Sequence, residues 1–394
     1  MENYKESTRP RIYRKKLNTE SLEDLLVQTT KWLCNIIIAI RKEGGIIDTS
    51  TNHNVTFNLF STISNANSNK EVFYRRIEYT TDLNQRLAER VKNKSLILSE
   101  ALWKPKNREE IDNKAIEITA KEKKNDDISS LKDTIIYGLK GLSYYMNHAN
   151  MLKYEDEEID IFIQKALNTN LKNNISANEL LELVLKTGKY GIDAMSLFKK
   201  ANTTTYEDTD NIICEFANNQ VLELREKIAE AVKDGTIKKF IVLGGCEGGR
   251  DKERDYDIQL AKKLPKNTVI LTASCTKYRY HKLNLGDING IPRVLDSGQC
   301  GDSYALVTVA LALKEILGLK DTKDLPIVYD IPLYEQKSFI ILLSLLSLGI
   351  KNIHLGPNTA EFIPKNVIDI LIKKFTLSNT KNINDDFNKF NLIA

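Results

Sequence analysis

The sequence has no long hydrophobic run, which excludes a membrane-spanning helix. Its longest apolar stretch, Phe339 to Ile350 (FIILLSLLSLGI), is far shorter than the roughly 20 residues needed to cross a bilayer. We therefore predict a buried helix there. The first residues, MENYKESTRPRIYRKKL, contain no apolar segment of a signal peptide, and Glu2 and Glu6 argue against a transit peptide. A cytoplasmic location is expected.

The chain also has little excess charge and few cysteines. Its formal net charge of +4, from 57 basic and 53 acidic side chains, is too small to indicate a nucleic-acid partner. The basic arm at residues 9–16 (RPRIYRKK) is capable of touching phosphate but is more simply a solvated tail. Five cysteines, an odd number, without a signal peptide indicate thiols in a reducing compartment.

The first half of the chain has apolar residues at three- and four-residue steps, the period of amphipathic helices. Two segments in it are similar at an offset of 109 residues, from Ser21-Leu22-Glu23-Asp24 to Ser130-Leu131-Lys132-Asp133, and a serine N-cap signal opens each. We predict two related helical bundles, at residues 1–120 and 121–208. Residues 201–211 (ANTTTYEDTDN), rich in turn formers, mark the main domain boundary.

From about Gln220 short apolar runs alternate with helical stretches, which indicates a parallel sheet with crossover helices. The predicted strands are 240–243, 268–272, 293–295, 327–330 and 353–355. The predicted helices are 255–264, 303–317, 335–348 and 367–375. Residues 209–394 are therefore predicted to form a doubly wound, Rossmann-like α/β domain behind an all-α N-terminal region.

Three cysteines and one glutamate follow four of these strands. They are Cys246 in Gly-Gly-Cys-Glu-Gly-Gly, Cys275 in Ala-Ser-Cys-Thr-Lys, Cys300 in Ser-Gly-Gln-Cys-Gly-Asp and Glu335 in Leu-Tyr-Glu-Gln-Lys. Because the loops after parallel strands gather on one face of the sheet, we expect these four residues to lie near one another. Thiolates are soft ligands that suit iron–sulfur or zinc centres.

Other roles compete with a ligand role for these residues. Free cysteine usually packs as a small hydrophobe, but three of five at strand ends favour a ligand or redox role. A phosphate cradle around Cys246 lacks the G-x-x-x-x-G-K-[ST] pattern. Cys34 lies in an apolar stretch and is predicted to be core, and Cys214 receives no assignment. The histidines show no metal-binding spacing. Two of them, His281 and His354, lie near strand ends, where each either orients a ligand or has a surface or packing role.

Several segments resemble the signature loops of the hybrid-cluster protein family, the hydroxylamine reductase or prismane proteins. In the C-terminal domain the similar stretches are FIVLGGCEGG at 240–249, TVILTASCTKYRYHKLNLGDINGIPRVL at 268–295, DSGQCGDS at 296–303, YEQK at 334–337 and GIKNIHLGP at 349–357. In the helical half, IIYGLKGLSYY at 135–145 and LKTGKY at 185–190 are similar to the family.

The resemblance implies a role for each matching residue. Cys246 matches the cysteine that bears a persulfide sulfur at the hybrid cluster, and Cys275 and Cys300 match thiolate ligands of that cluster. Glu335 matches its carboxylate ligand, and Lys337 a neighbouring cationic group. The implied metal ligands are thus the three cysteines and Glu335, and the implied catalytic residues are Cys246, Glu335 and Lys337. The implied activity is an oxidoreductase that acts on a small nitrogen oxide such as hydroxylamine.

Two departures from the family pattern affect the expected cofactor. The family begins with cysteines that hold a cubane cluster, whereas no cysteine precedes Cys34 here, so no N-terminal cubane is expected. The family also carries a second α/β domain that donates a His, a Glu and a Cys to the hybrid cluster, whereas here residues 211–218 (NIICEFAN) lead almost directly into the last domain.

These departures leave three hypotheses about the site. It holds an iron–sulfur cluster with an incomplete ligand set, in a smaller or more exposed form. A homologous partner subunit, or another copy in a homo-oligomer, completes it. The third hypothesis is a non-catalytic homologue that acts as a binding or regulatory subunit. Under all three hypotheses, no nucleic acid or membrane is expected as a partner.

Overall fold

A computed structural model describes residues 19–63, 69–120, 126–205, 224–244, 251–274, 277–280, 282–298, 304–331, 338–351, 353–356, 365–378 and 382–390. The chain divides into two compact units, one of residues 1–184 and 193–203 and the other of residues 185–192 and 204–394. The first unit is helical, and the second combines helices with a parallel sheet. The domain bounds at residues 120 and 208 stay a prediction.

The described part of the helical unit is built from long helices with polar caps. Asp48, Asn69, Asp126 and Asp156 each accept a backbone N–H of the first turn with a side-chain oxygen, which satisfies donors that a helix leaves unpaired. The helices are α1 (Thr19–Lys42), α2 (Thr49–Ser61), α3 (Lys70–Arg90), α4 (Arg108–Ala120), α5 (Asp127–Met151), α6 (Glu157–Asn170) and α7 (Ala177–Thr205), with 3-10 turns at Lys94–Leu96 and Ser99–Leu102.

The similar segments 109 residues apart both lie in helices, but their serines do not cap them. Ser21 lies inside α1 and Ser130 inside α5, and both are buried. The N-cap of α5 is Asp126, whose carboxylate accepts the N–H of Ser129 at 2.7 Å. The N-cap prediction at these serines was wrong because a small polar residue also fits a crowded helix face, where its hydroxyl bonds to the preceding turn.

Asp160 of α6 is a buried carboxyl in this unit. It is 5% exposed, and its Oδ1 has no hydrogen-bond partner among the described residues. Burial, with further effects from Glu155 and Asp156, raises its pKa from 3.8 to about 7. Because the folded pKa lies above the unfolded one, this carboxyl favours folding most below about pH 4, and that contribution is lost as the pH rises to about 7.

The variant Asp160→Asn is expected to remove this loss of stability. At pH 9 it should be more stable than the wild type by up to about 4 kcal/mol, and near pH 4 the difference should largely disappear. Urea unfolding at the two pH values measures this. Glu182→Gln, which neutralises an exposed carboxylate of α7, should stay within about 0.5 kcal/mol of the wild type at both. An unchanged pH dependence in Asp160→Asn would contradict the assignment.

The described part of the second unit alternates strands and helices. Its strands are β1 (Lys239–Gly244), β2 (Thr268–Ala273), β3 (Asp287–Ile288), β4 (Ile291–Pro292), β5 (Val294–Asp296), β6 (Ile327–Asp330) and β7 (Ile353–His354). Its helices are α8 (Arg225–Lys233), α9 (Asp251–Lys263), α10 (Lys277–Tyr280), α11 (Ala305–Ile316), α12 (Ser338–Ser347), α13 (Lys365–Phe375) and α14 (Ile383–Lys389), with a 3-10 turn at Thr322–Asp324.

Five of these strands form one sheet in the order β5-β2-β1-β6-β7, and every pairing in it is parallel. Counted along the chain, this is the order 3-2-1-4-5 of a doubly wound sheet, so the predicted fold class is confirmed. All of β2 and all of β1 except Lys239 are buried, as expected for central strands covered on both faces. The β3–β4 hairpin is separate from this sheet.

Most of the apolar run at residues 339–350 forms α12, which ends at Ser347, and residues Phe339 to Leu346 are buried, so the prediction of a buried helix is confirmed. Within the described ranges, no helix combines the length and the apolar character that a bilayer crossing requires.

Candidate metal centre at the carboxyl edge of the sheet

The carboxyl ends of β5, β2, β1 and β6 lie side by side in the sheet. Gly244 at the end of β1 is opposite Ala273 at the end of β2, and Thr272 is opposite Asp296 at the end of β5. On the other side of β1, the last residue of β6 is Asp330. Because the strands are parallel, these four ends form one edge, which we call the carboxyl edge.

The predicted site residues lie outside the described residues: Cys246, Cys275, Cys300, Glu335 and Lys337, together with Cys214 and His281. In the sequence, Cys246 comes two residues after β1 and Cys275 two residues after β2. Cys300 comes four residues after β5 and Glu335 five residues after β6. The sheet therefore brings together the strands that precede the four predicted ligands, and both the ligand role and the positions of these residues stay predictions.

A backbone hydrogen bond links the ends of β2 and β5. Ser274 donates its N–H to the carbonyl oxygen of Gly298 at 3.0 Å. Ser274 has a φ of 68°, in the left-handed region that non-glycine residues seldom adopt. Cys275 follows Ser274 directly and Cys300 follows Gly298 by two residues, so the segments that lead to these two cysteines are held to each other.

A shielded ion pair lies at the same two strand ends. Nζ of Lys277, in α10, is 3.1 Å from Oδ2 of Asp296, and the two side chains are 8% and 27% exposed. Oδ1 of Asp296 accepts the N–H of Gly298 at 2.8 Å. Removing one member of a shielded pair leaves an uncompensated charge, so this pair fixes α10 against β5. The sequence patterns did not reveal it, although Lys277 lies only two residues after Cys275.

Two buried acids and one half-buried acid lie near the end of β6. Asp330 is 3% exposed, and its Oδ1 has no hydrogen-bond partner in the described part of the chain. Burial, and then the negative charges of Asp257 and Asp386, raise its pKa far above the usual range. Asp257 pairs with Arg279, and Asp386 accepts the hydroxyl of Tyr256 at 3.0 Å. Ionisation of the Asp330 carboxyl is therefore disfavoured in the folded chain.

His354, the last residue of β7, is a packed and neutral side chain. It is 3% exposed, and its Nδ1 is 2.6 Å from the hydroxyl oxygen of Ser378. Its ring meets that of Phe390 edge-on, with centroids 4.3 Å apart, and burial lowers its pKa to about 4. These contacts with Ser378 and Phe390 support the packing role of this histidine rather than a role in orienting a ligand.

Cys34 is core, as predicted. It is fully buried in α1, and burial raises the pKa of its thiol, so the thiolate that binds metals is disfavoured. Across the ranges that the structure describes, no group of three or more His, Cys, Asp or Glu side chains is arranged to hold a metal ion.

Comparison with known proteins gives matches along nearly the whole chain. The model of the Prismane/CO dehydrogenase family matches residues 15–229 and 207–388. The chain is 34% identical to a hydroxylamine reductase of Desulfovibrio desulfuricans over 95% of each chain, and 34% identical to one of Clostridium perfringens over 94% of each. Carbon monoxide dehydrogenase IV from Carboxydothermus hydrogenoformans covers 96% of this chain and 88% of its own at 12% identity, and its TM-score of 0.36 is too low to establish a shared fold.

The alignment with the Desulfovibrio desulfuricans relative implies a large net deletion in this chain. It spans 518 positions, which is 124 more than the 394 residues of this chain, so at least 124 positions of the relative stand opposite gaps. The family model matches in two segments that overlap at residues 207–229.

Proposed function

The chain belongs to the Prismane/CO dehydrogenase family, and on that premise we propose that it is an oxidoreductase of the hydroxylamine reductase type. The proposed reaction takes two electrons and two protons and converts hydroxylamine to ammonia and water. Cys246, Cys275, Cys300 and Glu335 are proposed to hold an iron–sulfur centre, and Lys337 to place a positive charge beside it.

The observation that carries this proposal is the strand order at the carboxyl edge. From β1 the chain continues to β2 and β5 on one side and then to β6 and β7 on the other, so the order reverses between β1 and β6. Ligands of open α/β sheets bind in the crevice at such a switch point. In the sequence Cys246 follows β1 and Glu335 follows β6, and these are the two strands that border the crevice.

The chemistry of this donor set fits a redox-active iron centre. Three thiols supply soft ligands, which suit iron–sulfur and zinc sites, and zinc has no accessible redox change. A reductase needs electrons, which an iron–sulfur centre supplies when bound. The glycines beside Cys246 and Cys300 leave space next to the backbone for a bulky inorganic group.

Described residues at the carboxyl edge support the uptake of protons in the proposed reaction. Cleavage of an N–O bond takes up protons, and burial at the end of β6 favours the protonated form of the Asp330 carboxyl. The Lys277–Asp296 ion pair holds the segment after β2 against the end of β5. We propose that these groups respectively hold a proton and fix the two loops that carry Cys275 and Cys300.

The deletion supports an altered cluster rather than the complete hybrid cluster. We propose that the missing positions include the second α/β domain of the family, because the two family-model matches overlap at 207–229, near the predicted junction at residues 211–218. The cluster would then have fewer protein ligands and be smaller or more exposed. A homologous partner subunit or a second copy of this chain would complete it.

The same deletion also favours a second candidate function. A site without three of its ligands binds metal more weakly, and a family member that has lost its cluster would keep the fold as a binding or regulatory subunit. The two candidates differ in a measurable property, since only the oxidoreductase retains iron and sulfide.

Anaerobic purification tests the proposal. We expect bound iron and acid-labile sulfide, an electron paramagnetic resonance signal on reduction, and oxidation of reduced methyl viologen that depends on hydroxylamine. Size-exclusion chromatography coupled to light scattering determines whether another copy completes the site. A protein that holds no iron, even after reconstitution with iron and sulfide under reducing conditions, would rule out the oxidoreductase and leave the regulatory candidate.

A further inference from the structure

The helical unit contains a pocket of about 330 Å³ between α2, α3 and α5, which we call the arginine pocket. Its volume is at the lower end of the range for small-molecule sites. Its lining includes the polar residues Arg76, Asn54 and Asn150, which we call its base, and the exposed side chains Phe57, Tyr79 and Met151, which we call its rim. The proposed reaction at the carboxyl edge uses none of these residues.

Arg76 brings a positive charge to this pocket without an acidic partner. Its Nη2 donates to Oδ1 of Asn54 at 2.6 Å, and its Nε donates to Oδ1 of Asn58 at 2.9 Å. The guanidinium carbon is 4.6 Å from the centre of the Phe57 ring. Among the described residues no carboxylate lies within ion-pair distance of Arg76, and its Nη1 has no acceptor. A sheltered cation of this kind favours an anion beside it.

Two asparagines that line the pocket carry buried amide atoms without a described partner. Arginine only donates hydrogen bonds, so Asn54 must turn its Oδ1 toward Arg76, which leaves its Nδ2 on the other side. Asn54 is 6% exposed, and its Nδ2 is buried without a partner among the described residues. Both amide atoms of Asn150 are likewise buried without a described partner. Unsatisfied buried amides are costly, and rotation of either side chain toward a ligand oxygen in the pocket would satisfy its N–H groups.

The rim of the pocket is apolar and open to solvent. Phe57, Tyr79 and Met151 are 38%, 46% and 73% exposed, which is unusual for large apolar side chains placed around one pocket. Two acidic groups lie close to residues of the pocket, since Glu155 is 3.4 Å from the His53 ring and Asp48 caps α2. The pocket thus joins a cationic, donor-rich base to an apolar opening.

We propose that the arginine pocket binds a small organic anion. A carboxylate or phosphate head group accepts hydrogen bonds from Arg76, Asn54 and Asn150, and an apolar body lies against Phe57, Tyr79 and Met151.

Calorimetric titration of the full chain with four probes tests this proposal. The probes are benzoate, phenyl phosphate, inorganic phosphate and neutral benzyl alcohol. We expect saturable binding of benzoate or phenyl phosphate, and the tighter of the two identifies the head group. Inorganic phosphate binding as tightly as phenyl phosphate would overturn the apolar part of the proposal. Benzyl alcohol binding as tightly as benzoate, or no saturable binding of any probe, would overturn the whole.

Two variants test whether the probes bind in the arginine pocket. Arg76→Met should weaken binding of the tighter probe about ten- to hundredfold, because a hydrogen bond to a charged group is lost. Asn54→Asp should weaken it at least tenfold while the fold is kept, because the new carboxylate pairs with Arg76 inside the protein. The control is Arg75→Met, which removes the same charge from a neighbouring residue of α3 that is 76% exposed. Equal affinity in all three variants would overturn the proposal.

Discussion

Replacing Cys246 with alanine is expected to lower the affinity of the chain for the proposed iron–sulfur centre by more than a hundredfold. Changes to residues that only support a metal ligand cost roughly 10- to 100-fold in metal affinity, and loss of a ligand from a reduced set should cost more. The variant should therefore emerge from anaerobic purification colourless, with little iron or sulfide and without hydroxylamine-dependent activity. Iron and sulfide per chain measure the effect directly.

Cys34→Ala is the matched control for this variant. It also removes one thiol, but that thiol is fully buried in α1 and is not a proposed metal ligand. It should keep the iron and sulfide of the wild type and lose about 1 kcal/mol of unfolding free energy, as expected for a small cavity. Wild-type iron content in Cys246→Ala would contradict the assigned ligand role.

Glu335→Gln tests the ligand role of the carboxylate separately from that of the thiolates. Glutamine keeps the size of the side chain and removes its negative charge, so partial retention of iron with altered magnetic resonance is expected. An identical spectrum in Glu335→Gln and the wild type would remove Glu335 from the ligand set while leaving the cysteines in place.

The sheet could be predicted from the sequence because its strands are short apolar runs buried on both faces. The predicted strand 327–330 is β6, and the predicted strand 240–243 lies within β1, which extends one residue further at each end. Parallel connections then determine that the loops after these strands share an edge. The ligand prediction needed only this topology and the residue types that follow each strand.

Elements that depend on a few residues were harder to predict. The β3–β4 hairpin was missed, although Asn289-Gly290 at its turn, with φ values of 53° and 79°, is a strong hairpin signal. Each strand is only two residues long and one contains Pro292, so no alternating pattern marks them. Propensity alone carries little information over so short a segment.

Contacts that depend on tertiary packing could not be predicted. The pairing of Lys277 with Asp296 depends on where α10 lies relative to β5, and the burial of Asp330 depends on the helices that cover β6. The arginine pocket likewise gathers side chains from three helices without any motif. Periodicity specifies which face of a helix is apolar, but it does not specify which polar residues of different helices meet.

Gly188 is expected to be a position where even a methyl group disrupts packing in the α/β unit. A Cβ added there would lie 2.0 Å from the carbonyl oxygen of Leu343, in α12. The hydroxyl of Ser344 donates to the carbonyl of Gly188 at 2.9 Å, so residues 185–192 of α7 and α12 are in direct backbone contact. The clashing atom belongs to the main chain, so no side-chain rotation can relieve the overlap.

We therefore expect Gly188→Ala to destabilise the α/β unit by about 3 kcal/mol, and Gly188→Leu to prevent its cooperative folding. Helix propensity alone predicts the opposite, because alanine in place of a helical glycine normally adds about 1 kcal/mol of stability. Hydrogen exchange of the β1 and β2 amides measures the effect in this unit. Lys189→Ala, at the exposed neighbouring position, should leave that exchange nearly unchanged. Slower exchange in Gly188→Ala than in the wild type would mean that α7 and α12 are not in backbone contact.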